Sequence, residues 1–349
     1  EEFIRYLKDF RFRGDVYAMD EGSIVFPNEP LIRIHANLME AQLIESLLLN
    51  IVNFQTLIAS KAARIYCASK GGKILEFGLR RAQGLDGALS ATRAAYIGGA
   101  LATSNTQAGK LLGIPVKGTM AHSWIMAFAD EKEAFRQFAE LYPESAILLI
   151  DTYDTLKYGL RNAIEVGKEL QKKGKSIGVR LDSGDLQYLS MKVRSELDKA
   201  GLNDATITAS NELNEEIIHQ LVSDDAPIDS WGVGTHLVTG GKNSSLTGVY
   251  KLVAKMEAEE FRPVIKVSNN PSKTTNPGVK QVYRFFRDGD RPLADLITLE
   301  EEEIGKGRSY IFYHPSIDGS FFHLENYDNV TPLLSNKMKD GKIVAELPQ

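Results

Sequence analysis

The sequence predicts an α/β protein in which the middle of the chain forms an α/β barrel and the two ends together form a discontinuous, strand-rich domain. Between about residues 36 and 239, short apolar runs alternate with amphipathic segments, as in parallel strands joined by helices. Polar residues follow these apolar runs, whereas the flanks hold short strand-like runs broken by Gly and Pro. The predicted domains are 36–244 for the barrel and 1–35 with 245–349 for the flanking domain.

The composition is that of an ordinary globular protein, with 349 residues, 43% hydrophobic and 25% charged. A net charge of −5 argues against nucleic acid and membrane partners. Cys67 is the only cysteine, which excludes an intrachain disulfide and favours the cytoplasm. Residues 38–65 are strongly apolar but contain Glu40 and Glu45, so a long buried helix or helix pair is predicted there. The first residue is Glu1 rather than Met, which suggests a preceding segment.

The elements of the barrel follow one pattern, an apolar run that ends in polar residues. The predicted strands are Ile74–Phe77, Leu111–Val116, Ala146–Ile150, Ser176–Val179, Ala205–Ala209 and Ile228–Trp231. The predicted helices are Glu131–Leu141, Leu156–Lys172, Asp185–Ala200 and Asn214–Val222. In the flanks, strands are predicted at 248–253, 263–267, 280–286 and 310–313. Since the carboxyl ends of parallel barrel strands share one face, the polar residues that follow them are expected to form the site.

The segment Gly118–Ser123 is the strongest single candidate for chemistry. Small residues allow a ligand to approach the backbone, and Thr119, His122 and Ser123 supply two hydroxyls and an imidazole. His122 can serve as a base, an electrostatic stabiliser or a phosphoryl acceptor, and a purely structural histidine is the alternative.

Two further motifs combine charge with a strand end. Arg180 and Asp182 leave the same side of an extended backbone, so they can hold a charged ligand and a sugar hydroxyl, or else form a structural ion pair. Phe77 and Arg80 can stack on a planar heterocycle and bind an anion. The alternative is a core phenylalanine beside a solvated basic turn.

Phosphate-binding candidates follow the last two predicted strands. Gly232–Thr235 offers backbone N–H groups at a helix start, and Ser210–Glu212 can contribute to the same phosphate or cap the next helix. Asp151 follows another strand and is assigned a role at the barrel rim, where it can hold Mg²⁺ through water. An acidic run after an apolar strand also marks a different, Rossmann-like phosphoribosyltransferase class, but Asp151 and Asp154 are not adjacent as that motif requires.

Taken together, these motifs resemble the nicotinate phosphoribosyltransferase family. The resemblance rests on the segments 76–84, 102–105, 118–123, 179–185 and 232–235, and it continues in 248–253 and 273–278. It implies an irregular TIM-like α/β barrel with an α/β sandwich built from both chain ends, in a homodimer with sites at the interface. The implied reaction joins nicotinate to 5-phosphoribosyl 1-diphosphate in NAD salvage, with Mg²⁺ and with ATP as co-substrate.

The resemblance also implies roles for individual residues. Phe77 stacks on the pyridine ring, Thr119 contacts nicotinate, and Arg80 and Arg180 face the carboxylate or the phosphates. Asp182 binds the ribose hydroxyls, His122 becomes phosphorylated by ATP, and the region of the 5-phosphate is held by Asn211, Gly234 and Thr235. The catalytic residues are then His122, Asp182 and Arg180, and the other expected substrate contacts are Ser104, Asn105, Ser123 and Asp151.

Alternative functions stay open at this point. A nicotinamide phosphoribosyltransferase carries an aspartate near the position of Asn105, where this chain has no negative charge. A barrel isomerase or aldolase acting on a sugar phosphate would use His122 as its base. A silent barrel that serves as an interaction scaffold would not bind a diphosphate sugar.

Overall fold

The chain has a mixed α/β fold, and its computed structural model describes residues 1–267, 276–315 and 317–346. It divides into two compact units, one formed by 1–50 with 248–349 and the other by 51–247. The sequence motif 273–278 lies largely outside the described residues. The predicted domain boundaries, 35/36 and 244/245, differ from the unit boundaries because one long helix runs from the first unit into the second.

The elements are given in chain order. The helices are α1 (Glu2–Lys8), α2 (Leu38–Ala68), α3 (Gly84–Ile97), α4 (Thr106–Leu112), α5 (His122–Met126), α6 (Glu131–Leu141), α7 (Leu160–Gln171), α8 (Leu186–Lys199), α9 (Glu215–Ser223) and α10 (Thr235–Val238). The strands are β1 (Asp15–Ala18), β2 (Ile32–His35), β3 (Lys73–Glu76), β4 (Ala102–Thr103), β5 (Ile147–Leu149), β6 (Gly178–Leu181), β7 (Thr206–Ala209), β8 (Ser230–Val233), β9 (Ala254–Glu257), β10 (Glu260–Pro263), β11 (Lys280–Arg287), β12 (Arg291–Leu299), β13 (Tyr310–Tyr313), β14 (Phe321–Leu324), β15 (Asn329–Pro332), β16 (Ser335–Lys339) and β17 (Lys342–Ile343). A 3₁₀ turn, Leu79–Arg81, follows β3, and a π-helical turn, Thr155–Gly159, precedes α7.

The unit 51–247 is built on a six-stranded parallel sheet with the strand order β4-β3-β8-β7-β6-β5. The predicted alternation of strands and helices is confirmed, and the predicted helix at Glu131–Leu141 agrees with α6 at both ends. Helices α6, α7 and α8 pack on β5–β7, with Phe135, Val166 and Val193 buried between them. The second half of α2, with α3 and α9, packs around β3 and β8.

The predicted strand Leu111–Val116 is wrong. Leu111 and Leu112 end helix α4, and Gly113 terminates that helix in the left-handed conformation with φ 70°. Only Val116 pairs, through a single parallel bridge to Thr103 of β4, a strand that the sequence did not predict. An apolar run this short does not distinguish a helix end from a strand.

The other unit consists of antiparallel sheets, including β17-β16-β1-β2 and β12-β11-β15. The predicted strands at 280–286 and 310–313 are confirmed as β11 and β13. The segment 248–253 is not a strand, and the predicted strand 263–267 overlaps β10 only at Pro263. Here β9 and β10 form a hairpin whose turn residues, Ala258 and Glu259, both have positive φ, and this turn sets the strand positions.

Helix α2 confirms the predicted long helix but is one continuous helix rather than a pair. Within this chain it is not a buried helix, since only 11% of its most apolar 18-residue window is buried. Its exposed side chains include Met39, Leu43, Leu47 and Ile51, which recur every four residues on one helix face. By length and composition alone α2 is long and apolar enough to cross a membrane, a criterion that core helices of soluble proteins also meet.

A charged cluster holds the segment before β2 in the antiparallel unit. Arg284 of β11 forms a two-point ion pair with Asp295 of β12 (Nε–Oδ1 2.8 Å, Nη2–Oδ2 2.6 Å) and donates to the carbonyl of Ile24. Glu29 accepts a hydrogen bond from the backbone N–H of Phe26. Burial, together with the neighbouring carboxylate of Asp295, raises the pKa of Glu29 to about 7.

Glu29→Gln is expected to raise the melting temperature at pH 8 and to change it little at pH 5. The folded-state pKa lies above that of an unfolded glutamate, so the stabilisation from the protonated form is complete below about pH 4.5 and is lost as the pH rises through 7. Gln keeps an acceptor for Phe26 without the charge. Melting curves of wild type, Glu29→Gln and the exposed control Glu301→Gln between pH 5 and 8 test this. If the melting temperatures of wild type and Glu29→Gln changed with pH in the same way, this prediction would be wrong.

Candidate active site

The polar residues predicted from the sequence lie at the carboxyl edge of the parallel sheet. The register pairs Glu76 with Thr103 on one side and Val233 on the other, and it pairs Arg180 with Leu149 and Thr208. The residues that follow these positions therefore leave neighbouring strands at the same edge. This arrangement brings Phe77, Ser104, Asp151, Asp182, Ser210 and Gly234 to one rim of the unit.

Arg180 is the centre of the hydrogen-bond network at this rim. Its Nε donates to Ser210 Oγ (2.7 Å), Nη1 to Thr119 Oγ1 (2.7 Å) and Nη2 to Asp182 Oδ1 (2.8 Å). Ser210 also donates to Asp182 Oδ1. The side chains of Arg180 and Asp182 are only 17% and 23% exposed, so this charge-assisted pair is partly desolvated. The guanidinium group thus joins the segments after three different elements.

His122 stands beside a buried carboxylate. Its Nε2 lies 3.2 Å from Asp151 Oδ1, and the two side chains are 42% and 1% exposed. Asp151 Oδ2 accepts hydrogen bonds from the backbone N–H of Asp182 (3.0 Å) and from Ser183 Oγ. A carboxylate held on one side orients the imidazole on the other, and Nε2–H toward Asp151 leaves Nδ1 with a free lone pair.

Phe77 lies beside the arginine network. The Arg180 Cζ atom is 5.5 Å from the centre of the Phe77 ring. The ring occupies the space above Gly232, where a Cβ atom would come within 2.7 Å of Phe77 Cδ2. Arg80 is exposed on the 3₁₀ turn after β3. Phe77 is half-buried at the rim and not a core residue, which favours the binding interpretation over the structural one.

The two candidate phosphate loops follow β7 and β8. Asn211 is exposed and has φ 85°, a left-handed conformation that is uncommon for a residue other than glycine. The cap of α9 is Asn214, whose side chain accepts from Ile217 N (2.8 Å), so Ser210–Glu212 are not needed as caps. Gly234 and Thr235 stand at the start of α10.

Glu76 is a structural residue of the site that sequence reasoning missed. It is 1% exposed and accepts hydrogen bonds from Gly78 N, Thr92 Oγ1 (2.9 Å) and Thr103 Oγ1 (2.6 Å). The sequence feature that could have revealed it is a carboxylate at the end of an apolar strand. Such a group needs hydrogen-bond donors when it is buried. Glu76 thereby fixes the backbone that carries Phe77.

The remaining predicted contacts are placed differently. Asn105 is 2% exposed, and its Oδ1 accepts from Ala108 N (3.2 Å) as the N-cap of α4, so its side chain already has a structural role. Ser104 is partly exposed at the rim, and Ser123 is exposed in the first turn of α5. Contacts of these three residues with a substrate stay predictions.

The predicted Mg²⁺ site has no cluster of protein ligands around it. Within 1–267, 276–315 and 317–346, no three His, Cys, Asp or Glu side chains are grouped to hold a metal ion. The carboxylates of Asp151 and Asp182 both accept hydrogen bonds from protein donors. These two side chains are therefore engaged within the protein network.

Comparison with known sequences identifies the family. The profile described as nicotinate phosphoribosyltransferase (NAPRTase) family matches residues 72–290, more than half of the chain. The N-terminal domain profile of the same family matches 1–53, and the C-terminal domain profile matches 279–349. The chain is 49% identical over 316 residues to nicotinate phosphoribosyltransferase of Bacillus subtilis (strain 168), with 90% of this chain covered. It spans 64% of the length of that relative.

More distant relatives extend over almost the whole chain. The nicotinate phosphoribosyltransferase of Caenorhabditis elegans is 37% identical over 406 residues, covering 99% of this chain and 71% of the relative. The crystal structure of human nicotinic acid phosphoribosyltransferase superposes with a TM-score of 0.83 at 28% identity, covering 99% of this chain and 76% of that chain. The matched profiles, the relatives and the fold agree, and the chain belongs to the nicotinate phosphoribosyltransferase family.

Proposed function

We propose that the chain is a nicotinate phosphoribosyltransferase of NAD salvage. It joins nicotinate to 5-phosphoribosyl 1-diphosphate, forms nicotinate mononucleotide and diphosphate, and couples the reaction to ATP hydrolysis. The observation that carries the proposal is the Arg180 network, in which one guanidinium group binds Thr119, Asp182 and Ser210 beside the Phe77 ring. An aromatic surface, a cation and a ribose-binding carboxylate are thereby available within one site.

The base is held by two complementary groups. The pyridine ring stacks on Phe77, and its carboxylate accepts hydrogen bonds from Arg180 or Arg80. This orientation points the ring nitrogen at ribose C1, where the N–C bond forms as the bond from C1 to the diphosphate oxygen breaks. Because the pyridine nitrogen is itself the nucleophile, the protein accelerates the reaction through positioning and charge.

The sugar and its phosphates are bound along the rest of the rim. Asp182 accepts hydrogen bonds from the ribose hydroxyls and stabilises the electron-poor sugar of the transition state. Backbone N–H groups of Asn211, Gly234 and Thr235 bind the 5-phosphate. Mg²⁺ would enter with the diphosphate as part of the substrate.

His122 links ATP to this site. Its Nδ1 attacks the γ-phosphorus, ADP leaves, and water later removes the phosphoryl group. Asp151 holds Nε2 and keeps Nδ1 free to react. Since Asp151 also binds the backbone N–H of Asp182, a change of charge on His122 acts close to the ribose site.

The finer architecture is part of the proposal. The parallel sheet is completed as an irregular TIM-like barrel, and the antiparallel unit forms an α/β sandwich. Helix α2 exposes an apolar face with a side chain every four residues. Exposed apolar patches of this kind mark protein–protein interfaces, so this face supports a homodimer with active sites at the interface. The single, unpaired Cys67 supports a cytoplasmic setting.

The direct test is product formation by the purified full-length protein. Nicotinate, 5-phosphoribosyl 1-diphosphate and Mg²⁺ are supplied with and without ATP, and nicotinamide replaces nicotinate in a parallel reaction. Nicotinate mononucleotide that increases with ATP is the expected result. Preferential use of nicotinamide would instead favour the amide-specific enzyme, and turnover of a sugar phosphate without base or ATP would favour an isomerase or aldolase.

His122→Ala is expected to abolish stimulation by ATP while leaving slow, uncoupled transfer. The imidazole is the phosphoryl acceptor, but the base and sugar contacts do not depend on it. Rates with and without ATP should become equal, and label from [γ-³²P]ATP should no longer reach the protein. His219→Ala, an exposed position on helix α9, is the control. Full ATP stimulation in His122→Ala would show that the phosphohistidine assignment is wrong.

A further inference from the structure

Three ion pairs surround the start of α9. Glu212, Glu215 and Glu216 lie in or just before its first turn. Their partners come from other segments, with Lys61 Nζ 2.5 Å from Glu215 Oε2, Lys242 Nζ 3.4 Å from Glu216 Oε1, and His236 Nε2 3.5 Å from Glu212 Oε2. The pairs of Lys242 and His236 include well-exposed carboxylates and contribute little to stability.

The pair of Lys61 and Glu215 is different because it is buried. The side chains are 10% and 20% exposed, and the contact is an ion pair rather than an aligned hydrogen bond. Burying two charges costs desolvation, so such a pair adds less to stability than a well-packed apolar pair of similar volume. A geometric role therefore explains this lysine better than a stabilising one.

Lys61 also touches the turn that follows α10. A Cβ atom on Gly241 would lie 2.8 Å from Lys61 Nζ, and one on Gly240 would lie 2.7 Å from a Cδ atom of Leu57. Leu57 and Lys61 are one turn apart on α2, and both glycines have positive φ (75° and 66°). The second half of α2 therefore packs against this turn through Leu57 and Lys61.

The consequence concerns the spacing of the two candidate phosphate loops. Glu215 begins the helix that follows Asn211, and Gly241 ends the segment that begins with Gly234 and Thr235. Lys61 Nζ therefore lies close to both segments. We propose that Lys61 is a positioning residue, which sets the spacing of these loops so that the 5-phosphate of 5-phosphoribosyl 1-diphosphate binds in the productive orientation. This inference rests on the proposed function.

The test compares substrate binding with turnover in Lys61→Met, which keeps most of the volume and removes the charge. We expect the KM for 5-phosphoribosyl 1-diphosphate to rise about tenfold or more, while the KM for nicotinate stays within about twofold. Glu215→Gln should produce the same selective change. Arg136→Met is the control for the loss of an ion pair elsewhere, because Arg136 pairs with Glu169 between α6 and α7 and both side chains are more exposed (36% and 44%).

Direct binding and melting curves separate the possible outcomes. A lower melting temperature with an unchanged KM for 5-phosphoribosyl 1-diphosphate would make Lys61 a purely structural residue and overturn the inference. An equal rise of both KM values would do the same. If the wild type forms no product, the proposed function fails. Calorimetric binding of 5-phosphoribosyl 1-diphosphate then still tests the positioning role of Lys61. A tenfold weaker Kd in Lys61→Met supports the positioning role, and an unchanged Kd, or no binding by wild type, overturns it.

Discussion

Arg180→Lys is expected to lower kcat/KM for nicotinate mononucleotide formation by about 100-fold or more. The guanidinium group donates to Thr119, Asp182 and Ser210 with three different nitrogen atoms, each 2.7 or 2.8 Å from its acceptor. A lysine ammonium cannot reach these three acceptors from one fixed position. Both the bound base and the Asp182 carboxylate that binds the ribose would lose their orientation, so we expect kcat to fall as well as the KM to rise. Steady-state kinetics with each substrate varied measures this.

A second arginine provides the control for this experiment. Arg194 on α8 donates to the carbonyls of Leu202 (2.9 Å) and Ala205 (2.6 Å), before β7 and so at the amino end of that strand. Arg194→Lys should lower the melting temperature without lowering kcat/KM by more than a few-fold. If Arg180→Lys keeps its activity while Arg194→Lys loses it, the Arg180 network is not the centre of the reaction.

Gly232→Ala is expected to raise the KM for nicotinate by about tenfold or more, with a smaller change for 5-phosphoribosyl 1-diphosphate. The added Cβ would lie 2.7 Å from Phe77 Cδ2 and 3.2 Å from Ser210 Cβ, so the aromatic ring has to move. A displaced ring offers a different stacking surface to the base. Nicotinate titrations followed by isothermal calorimetry, together with the KM values, measure the effect.

The control for the glycine substitution is Gly87→Ala. A Cβ at Gly87 meets no atom within 4 Å, and the residue lies in helix α3, where alanine is the better helix former. This variant should keep the wild-type KM for nicotinate and a similar or higher melting temperature. An unchanged nicotinate KM in Gly232→Ala would mean that the position of the Phe77 ring does not control base binding.

The sequence predicts which residues stand at strand ends better than it predicts how they pair. An apolar run followed by a charged group indicated the positions of Arg180, Asp182 and Asp151, and parallel strands bring such ends to one edge. The bond from Arg180 to Thr119 joins residues 61 positions apart. This hydrogen bond depends on the order of the strands in the sheet, and the local sequence pattern does not determine that order.

Two errors have related physical causes. The segment Leu111–Val116 is apolar, but Gly113 in the left-handed conformation and a single bridge at Val116 replace the predicted strand. Helix α2 was expected to be buried because it is apolar, yet burial depends on the partners of a helix as well as on its composition.

The buried group around Glu76 has a consequence for sequence divergence. Hydrogen bonds run from Asn105 N to Thr103 Oγ1 and from Asn105 Nδ2 to Thr92 Oγ1, and both hydroxyls then donate to Glu76 Oε2. Each hydroxyl thus has a fixed direction, and the bonds polarise one another. A change at one of the four residues leaves another without its partner. Substitutions here should be strongly non-additive, and in a family alignment these four positions should covary.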